Sequence, residues 1–146
     1  MKPSLLISAC LLGANCKYSG GSNALPAETL QKLRENYRLL PVCPETAEGL
    51  GVPREPSERR GERVVNRLGR DVTAEYRAGA AIALALCRRF KCEIALLKER
   101  SPSCGSGTIY DGSFSSALIR ADGVAAQLLK QAGIEVLGES EISKIL

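Results

Sequence analysis

Three cysteines follow runs that read as buried strands. Cys10 ends the apolar stretch Leu5-Leu6-Ile7-Ser8-Ala9, Cys43 follows Leu39-Leu40-Pro41-Val42, and Cys104 lies in Lys98-Glu99-Arg100-Ser101-Pro102-Ser103-Cys104-Gly105-Ser106-Gly107, after Ile94-Ala95-Leu96-Leu97. A core segment does not need that last composition. A loop holding a thiolate beside hydroxyls and backbone amides does. Soft thiolates select zinc, copper(I) or iron–sulfur clusters. No Cys-x-x-Cys pair is present, which argues against a zinc ribbon and a thioredoxin-type redox pair. Four thiolates would close a metal site. Three leave one metal position open to substrate. Cys16, in the same Gly-rich loop as Cys10, is the candidate fourth ligand. Cys87, on an alanine-rich stretch, and Cys92, just before a strand, read as small buried hydrophobes.

Histidine is absent. That excludes Ser-His and Cys-His catalysis and His-ligated zinc. Acid–base work then falls to Glu, Asp, Lys, Tyr, Cys or Ser. Glu45, two residues after Cys43, is either a proton shuttle beside an apolar pocket or a solvated loop carboxylate. Ser101 and Ser103 bracket Pro102. Ser101 either donates to a ligand or stabilises the Ser-Pro turn. Gly105-Ser106-Gly107 reads as backbone room around Cys104 rather than a phosphate cradle, since no helix clearly begins there. Lys98 and Glu99 form an ion pair or line the site. Arg54 to Arg60 is mixed in charge and reads as a solvated strip, or as a lid over the pocket.

The elements that must position these groups alternate. Strands are expected over 5–9, 39–42, 94–97 and 134–137. Helices are expected over about 26–36, 73–90 and 121–132, with one helical turn near 141–146. Pro41 suits a strand that begins late or lies near an edge. Asp71-Val72-Thr73 can cap the second helix. The segment 46–70 reads as long and irregular, with a small hairpin strand at Val64-Val65; 110–113 reads as a turn and 114–119 as a loop or short strand. This order predicts an α/β, Rossmann-like, three-layer fold with a mainly parallel sheet of about four strands, as a single domain over 1–146. Ligands collect at the carboxyl ends of such strands, so three strand-end loops deliver Cys10, Cys43 and Cys104 to one edge.

Composition narrows the partners. Twenty basic and sixteen acidic residues among 146 leave a net charge of only +4, and there are two Phe, four Tyr and no Trp. Sparse aromatics argue against single-stranded nucleic acid. The apolar part before Cys10 is shorter than a secretory h-region, and no run reaches a membrane span. A cytoplasmic location and reduced thiols are therefore expected.

Taken together, several strings resemble the DUF523 family, whose characterised members are thiouracil desulfidases. They are Ser8-Ala9-Cys10-Leu11-Leu12-Gly13 with Cys16-Lys17-Tyr18, Val42-Cys43-Pro44-Glu45, Gly69-Arg70-Asp71-Val72-Thr73, Leu97 to Gly105, and Ile109-Tyr110-Asp111-Gly112. The resemblance spans nearly the whole chain in order. It implies a [4Fe-4S] cluster held by Cys10, Cys43 and Cys104, with one iron not bound by protein. It also implies catalytic roles for Glu45 and Ser101. Family members often carry arginine and aspartate where this chain has Lys17 and Ser19.

The expected function is a non-redox desulfidase that converts a thiolated pyrimidine base to its oxo form with release of sulfide. Glu45, Ser101 and Ser103 contact the substrate, and iron–sulfur assembly machinery supplies the cluster. Two other classes remain open: a non-enzymatic iron–sulfur or zinc protein closed by Cys16, and a binding module for thiolated nucleosides or tRNA.

Overall fold

The computed structural model describes residues 1–47 and 50–146. Two residues of the 46–70 segment, 48 and 49, thus lie outside the described residues.

Strand β1 is Ser4–Ser8, β2 Arg38–Val42, β5 Ile94–Leu97 and β8 Glu135–Gly138. They form one sheet in the order β2-β1-β5-β8, and every pairing is parallel. A parallel sheet is covered on both faces, so its strands read as continuous apolar runs rather than as alternations. Leu5, Leu6 and Ile7 are all fully buried. Their side chains alternate between two cores. Leu6 packs with Val42, Ala95, Leu97 and Val136 under the helices α3 (Thr73–Phe90) and α4 (Val124–Gln131). Leu5 and Ile7 pack with Leu96 and Leu137 against Leu33 of α1 (Ala27–Asn36) and Ile145. This is the expected three-layer α/β fold, and β2 with its Pro41 lies at the sheet edge.

Four local readings change. The strip Ser57–Arg60 is strand β3, paired antiparallel with β4 (Arg63–Asn66) in a hairpin larger than Val64-Val65 alone. Val64, with Val72 and Tyr76, forms a satellite core that ties this hairpin to α3. The turn at 110 and the strand near 119 are the pair β6 (Ile109–Tyr110) and β7 (Leu118–Ile119). Helix α4 starts later than 121 because the preceding backbone is bonded elsewhere. Gly123 N–H donates to Gly105 O, and the Asp122 carboxylate accepts Gly107 N–H. The last turn is a 3-10 helix over Glu139–Lys144. Among the described residues, no helix is long and apolar enough to cross a membrane.

Candidate active site

One cavity of about 500 Å³ opens where β1, β2 and β5 end. Cys10 enters it from a 3-10 turn, Ala9–Leu12, that continues β1. Cys43 enters between β2 and the short helix α2 (Pro44–Ala47). Cys104 enters from the loop after β5. The geometry therefore brings together the three cysteines expected at one edge, along with Cys16, Glu45, Ser101 and Ser103. Cys87 and Cys92 lie apart, in the core under α3.

The cysteines are close enough to influence one another. Burial pushes the thiols of Cys10 and Cys104 up. A hydrogen bond from Asn23 opposes this at Cys10, and one from Ser8 opposes it at Cys104. Burial and the neighbouring Cys43 also raise Cys16. The Cys43 thiol lies 4.0 Å from the Cys16 carbonyl. Among the described residues, no three Cys, Asp or Glu side chains are placed to share a single metal ion. Thiolates on one zinc each sit about 2.3 Å from it.

Glu45 sits in the first turn of α2, and both its oxygens are held. Tyr76 Oη donates to Oε1 at 2.8 Å, and the Arg54 guanidinium pairs with Oε2. Arg54 also donates to the carbonyls of Cys16 (3.1 Å) and Gly51 (3.2 Å), which ties two loops to α2 at the cavity wall. Burial, then the adjacent Glu45, push the Tyr76 hydroxyl far up, so it stays a donor. The position of α2 depends on Gly79 of α3. A Cβ there would lie 1.8 Å from Pro44 O.

Ser101 Oγ accepts the N–H groups of Ser103 (3.1 Å) and Cys104 (3.0 Å). The turn-stabilising reading is therefore correct, and it sharpens the ligand reading. With its lone pairs engaged, Ser101 offers the cavity its hydrogen. Ser103 is fully buried, lines the cavity, and its Oγ has no partner among the described residues. An orphaned hydroxyl one residue from Cys104 suits a sulfur-rich group in the cavity. Lys98 pairs with Glu139 at 2.7 Å rather than with the Glu99 carboxylate, although both Lys98 and Glu99 line the cavity.

The sequence does not reveal that Arg54 and Tyr76 both hold Glu45. Arg54 belongs to the strip that reads as solvated or as a lid over the pocket; its side chain is only 11% exposed and lines the cavity. Tyr76 carried a usable signal, as the one aromatic ring in the first turns of an alanine-rich helix.

The fold and site together define an α/β protein with a cysteine-lined, strand-end cavity and a clamped carboxylate. A model of the 2-thiouracil desulfurase family matches residues 5–141. The chain belongs to that family of enzymes. It is 41% identical over 152 residues to the uncharacterized protein YbbK of Bacillus subtilis strain 168, covering 97% of this chain and 99% of that one. It is also similar to a solved [4Fe-4S]-dependent thiouracil desulfidase, TudS, with a TM-score of 0.94 and 44% identity, covering 99% of this chain and 95% of the other.

Proposed function

We propose that the protein is a [4Fe-4S]-dependent desulfidase that hydrolyses the thiocarbonyl of a 2-thiouracil-like base to the oxo form and releases sulfide. The observation that carries this reading is the meeting of Cys10, Cys43 and Cys104 with Glu45 and Ser101 in one cavity. Family membership and the similarity to TudS support the cofactor and the substrate class.

Cys10, Cys43 and Cys104 would hold the cluster, leaving one iron without a protein ligand. When bound, the cluster supplies a thiophilic Lewis acid that polarises the C–S bond. The chain's own residues do the rest. Glu45, aimed by Tyr76 and Arg54, takes a proton from water as it adds to the thiocarbonyl carbon, and returns it as the sulfur leaves. Ser101 donates its hydrogen to the ring or the water, because its oxygen already accepts two backbone N–H groups. Ser103 gives the cavity a second donor. Thiocarbonyl and water become carbonyl and hydrogen sulfide, with no net electron transfer.

The single domain over 1–146 would carry the whole activity. Six free cysteines fit a reducing cytoplasm, where iron–sulfur assembly machinery can load the site. The test is Glu45→Ala. It should keep the iron content and visible absorption of the wild type and lose sulfide release from 2-thiouracil. Full turnover in that variant would remove Glu45 from the mechanism.

A further inference from the structure

The aromatic side chains are few but not scattered. Tyr18, Tyr76, Tyr110 and Phe114 all line the cavity, and only Tyr37 and Phe90 lie elsewhere. Tyr76 is buried and committed to Glu45 through its hydroxyl. Phe114 is different. It is half-buried, has no polar atom to place, and offers the cavity only its ring.

Its backbone is also unusual. Phe114 has φ 57°, in the left-handed region, and Ser116 has φ 65°. A bulky residue adopts that conformation only where its surroundings over-determine it, and such positions cluster at functional sites. Here the surroundings are specific. Glu58 of β3 accepts the N–H groups of Gly112 (3.0 Å) and Phe114 (3.1 Å) on one carboxylate oxygen. Arg60 of the same strand donates from Nε to Gly112 O at 2.6 Å. The strand that sequence reasoning read as a solvated strip thus grips the 110–116 loop from outside and sets Phe114 on the cavity.

We propose that Phe114 is the platform on which the planar ring of the substrate stacks, and that Glu58 is the positioning residue that holds it there. The nature of the ring rests on the desulfidase reading above, whereas the stacking of a flat heterocycle does not. Aromatic rings stack on bases through their π-faces, without reading hydrogen-bond patterns. The site would then prefer flat heterocyclic thiocarbonyls over aliphatic thioamides, even though both present the same C=S bond.

The test uses cluster-loaded protein with matched iron content. Uracil, which has no sulfur to lose, is titrated by calorimetry into wild type, Phe114→Ala, Phe114→Leu, Phe114→Tyr, Glu58→Ala and Glu58→Gln. Sulfide release from 2-thiouracil and from thioacetamide is measured on the same set. Loss of stacking should weaken uracil binding about tenfold in Phe114→Ala, and it should raise KM for 2-thiouracil more than it lowers kcat. Phe114→Leu keeps apolar bulk without a π-face and should weaken binding similarly, while Phe114→Tyr should restore it. Glu58→Ala should follow Phe114→Ala. Glu58→Gln keeps an oxygen that can accept both N–H groups and should stay near wild type. Thioacetamide turnover should be insensitive to Phe114. A wild type that releases sulfide while Phe114→Ala and Phe114→Leu bind uracil unchanged overturns the platform alone. Phe114-dependent uracil binding without sulfide release overturns the desulfidase reading and leaves the platform standing. A wild type that does not bind uracil overturns the platform.

Discussion

The hydroxyl of Tyr76 donates to Glu45 Oε1 at 2.8 Å, across the contact between α3 and α2. One residue lies on a long core helix and the other at the mouth of the cavity. The bond fixes the direction of a carboxylate that Arg54 neutralises from the other side. Tyr76→Phe keeps the buried ring and removes only this donor. The expected result is a fall in kcat on the order of tenfold, about 1.4 kcal/mol, with unchanged iron content. Single-turnover sulfide release measures it.

The cysteines divide by position. Replacing Cys10, Cys43 or Cys104 singly with Ser should abolish cluster binding, read as iron and acid-labile sulfide per chain after anaerobic reconstitution. Cys16→Ser should retain the cluster if the fourth iron is open. Loss of the cluster in Cys16→Ser would instead support a closed four-thiolate site. Chelation of the iron should stop sulfide release from the wild type, and reconstitution should restore it.

Gly79 controls the active site from behind. A Cβ there meets the Pro44 carbonyl at 1.8 Å. In Gly79→Ala, α2 and α3 must separate. Overpacking of this kind typically costs about 1–3 kcal/mol, so denaturant unfolding should show a lower midpoint. Because Pro44 precedes Glu45, activity should fall further than the loss of folded protein explains.

Asp71 gives a pH signature. Hydrogen bonds from the Thr73 hydroxyl and N–H, with Arg63 alongside, pull its carboxyl down to about 2. A lowered pKa in the folded state stabilises above the unfolded value, near 3.9, and that stabilisation is lost as pH falls through about 2. Asp71→Asn should therefore melt below the wild type at pH 7, and the two melting curves should converge between pH 4 and pH 2. The site is exposed, so salt should narrow the gap at neutral pH.

The cysteine edge was legible in the sequence because a parallel sheet leaves little choice. Continuous apolar runs mark its strands, and their carboxyl ends share one side. The surroundings of Glu45 were not legible. Arg54 and Tyr76 reach it from a loop nine residues on and a helix 31 residues on, and no spacing in the sequence pairs either with it. Strand β3 escaped for another reason. Its sequence, Ser-Glu-Arg-Arg, has no apolar alternation, and the residue it buries is Arg59, whose side chain bonds the carbonyls of Gly61 and Asp122. The start of α4 is hidden in the sequence because Gly123 and Asp122 serve the Cys104 loop, and no local preference of those residues announces it.

Pro41 has a consequence beyond marking β2 as an edge. The outer side of that strand is where a strand from another molecule would pair, and long, flat, apolar edges template aggregation. Pro41 contributes no N–H to such a ladder, and Arg38 adds charge to the same short strand. The sheet leaves its carboxyl end open for chemistry, while at the β2 edge the sequence itself disfavours pairing with another strand.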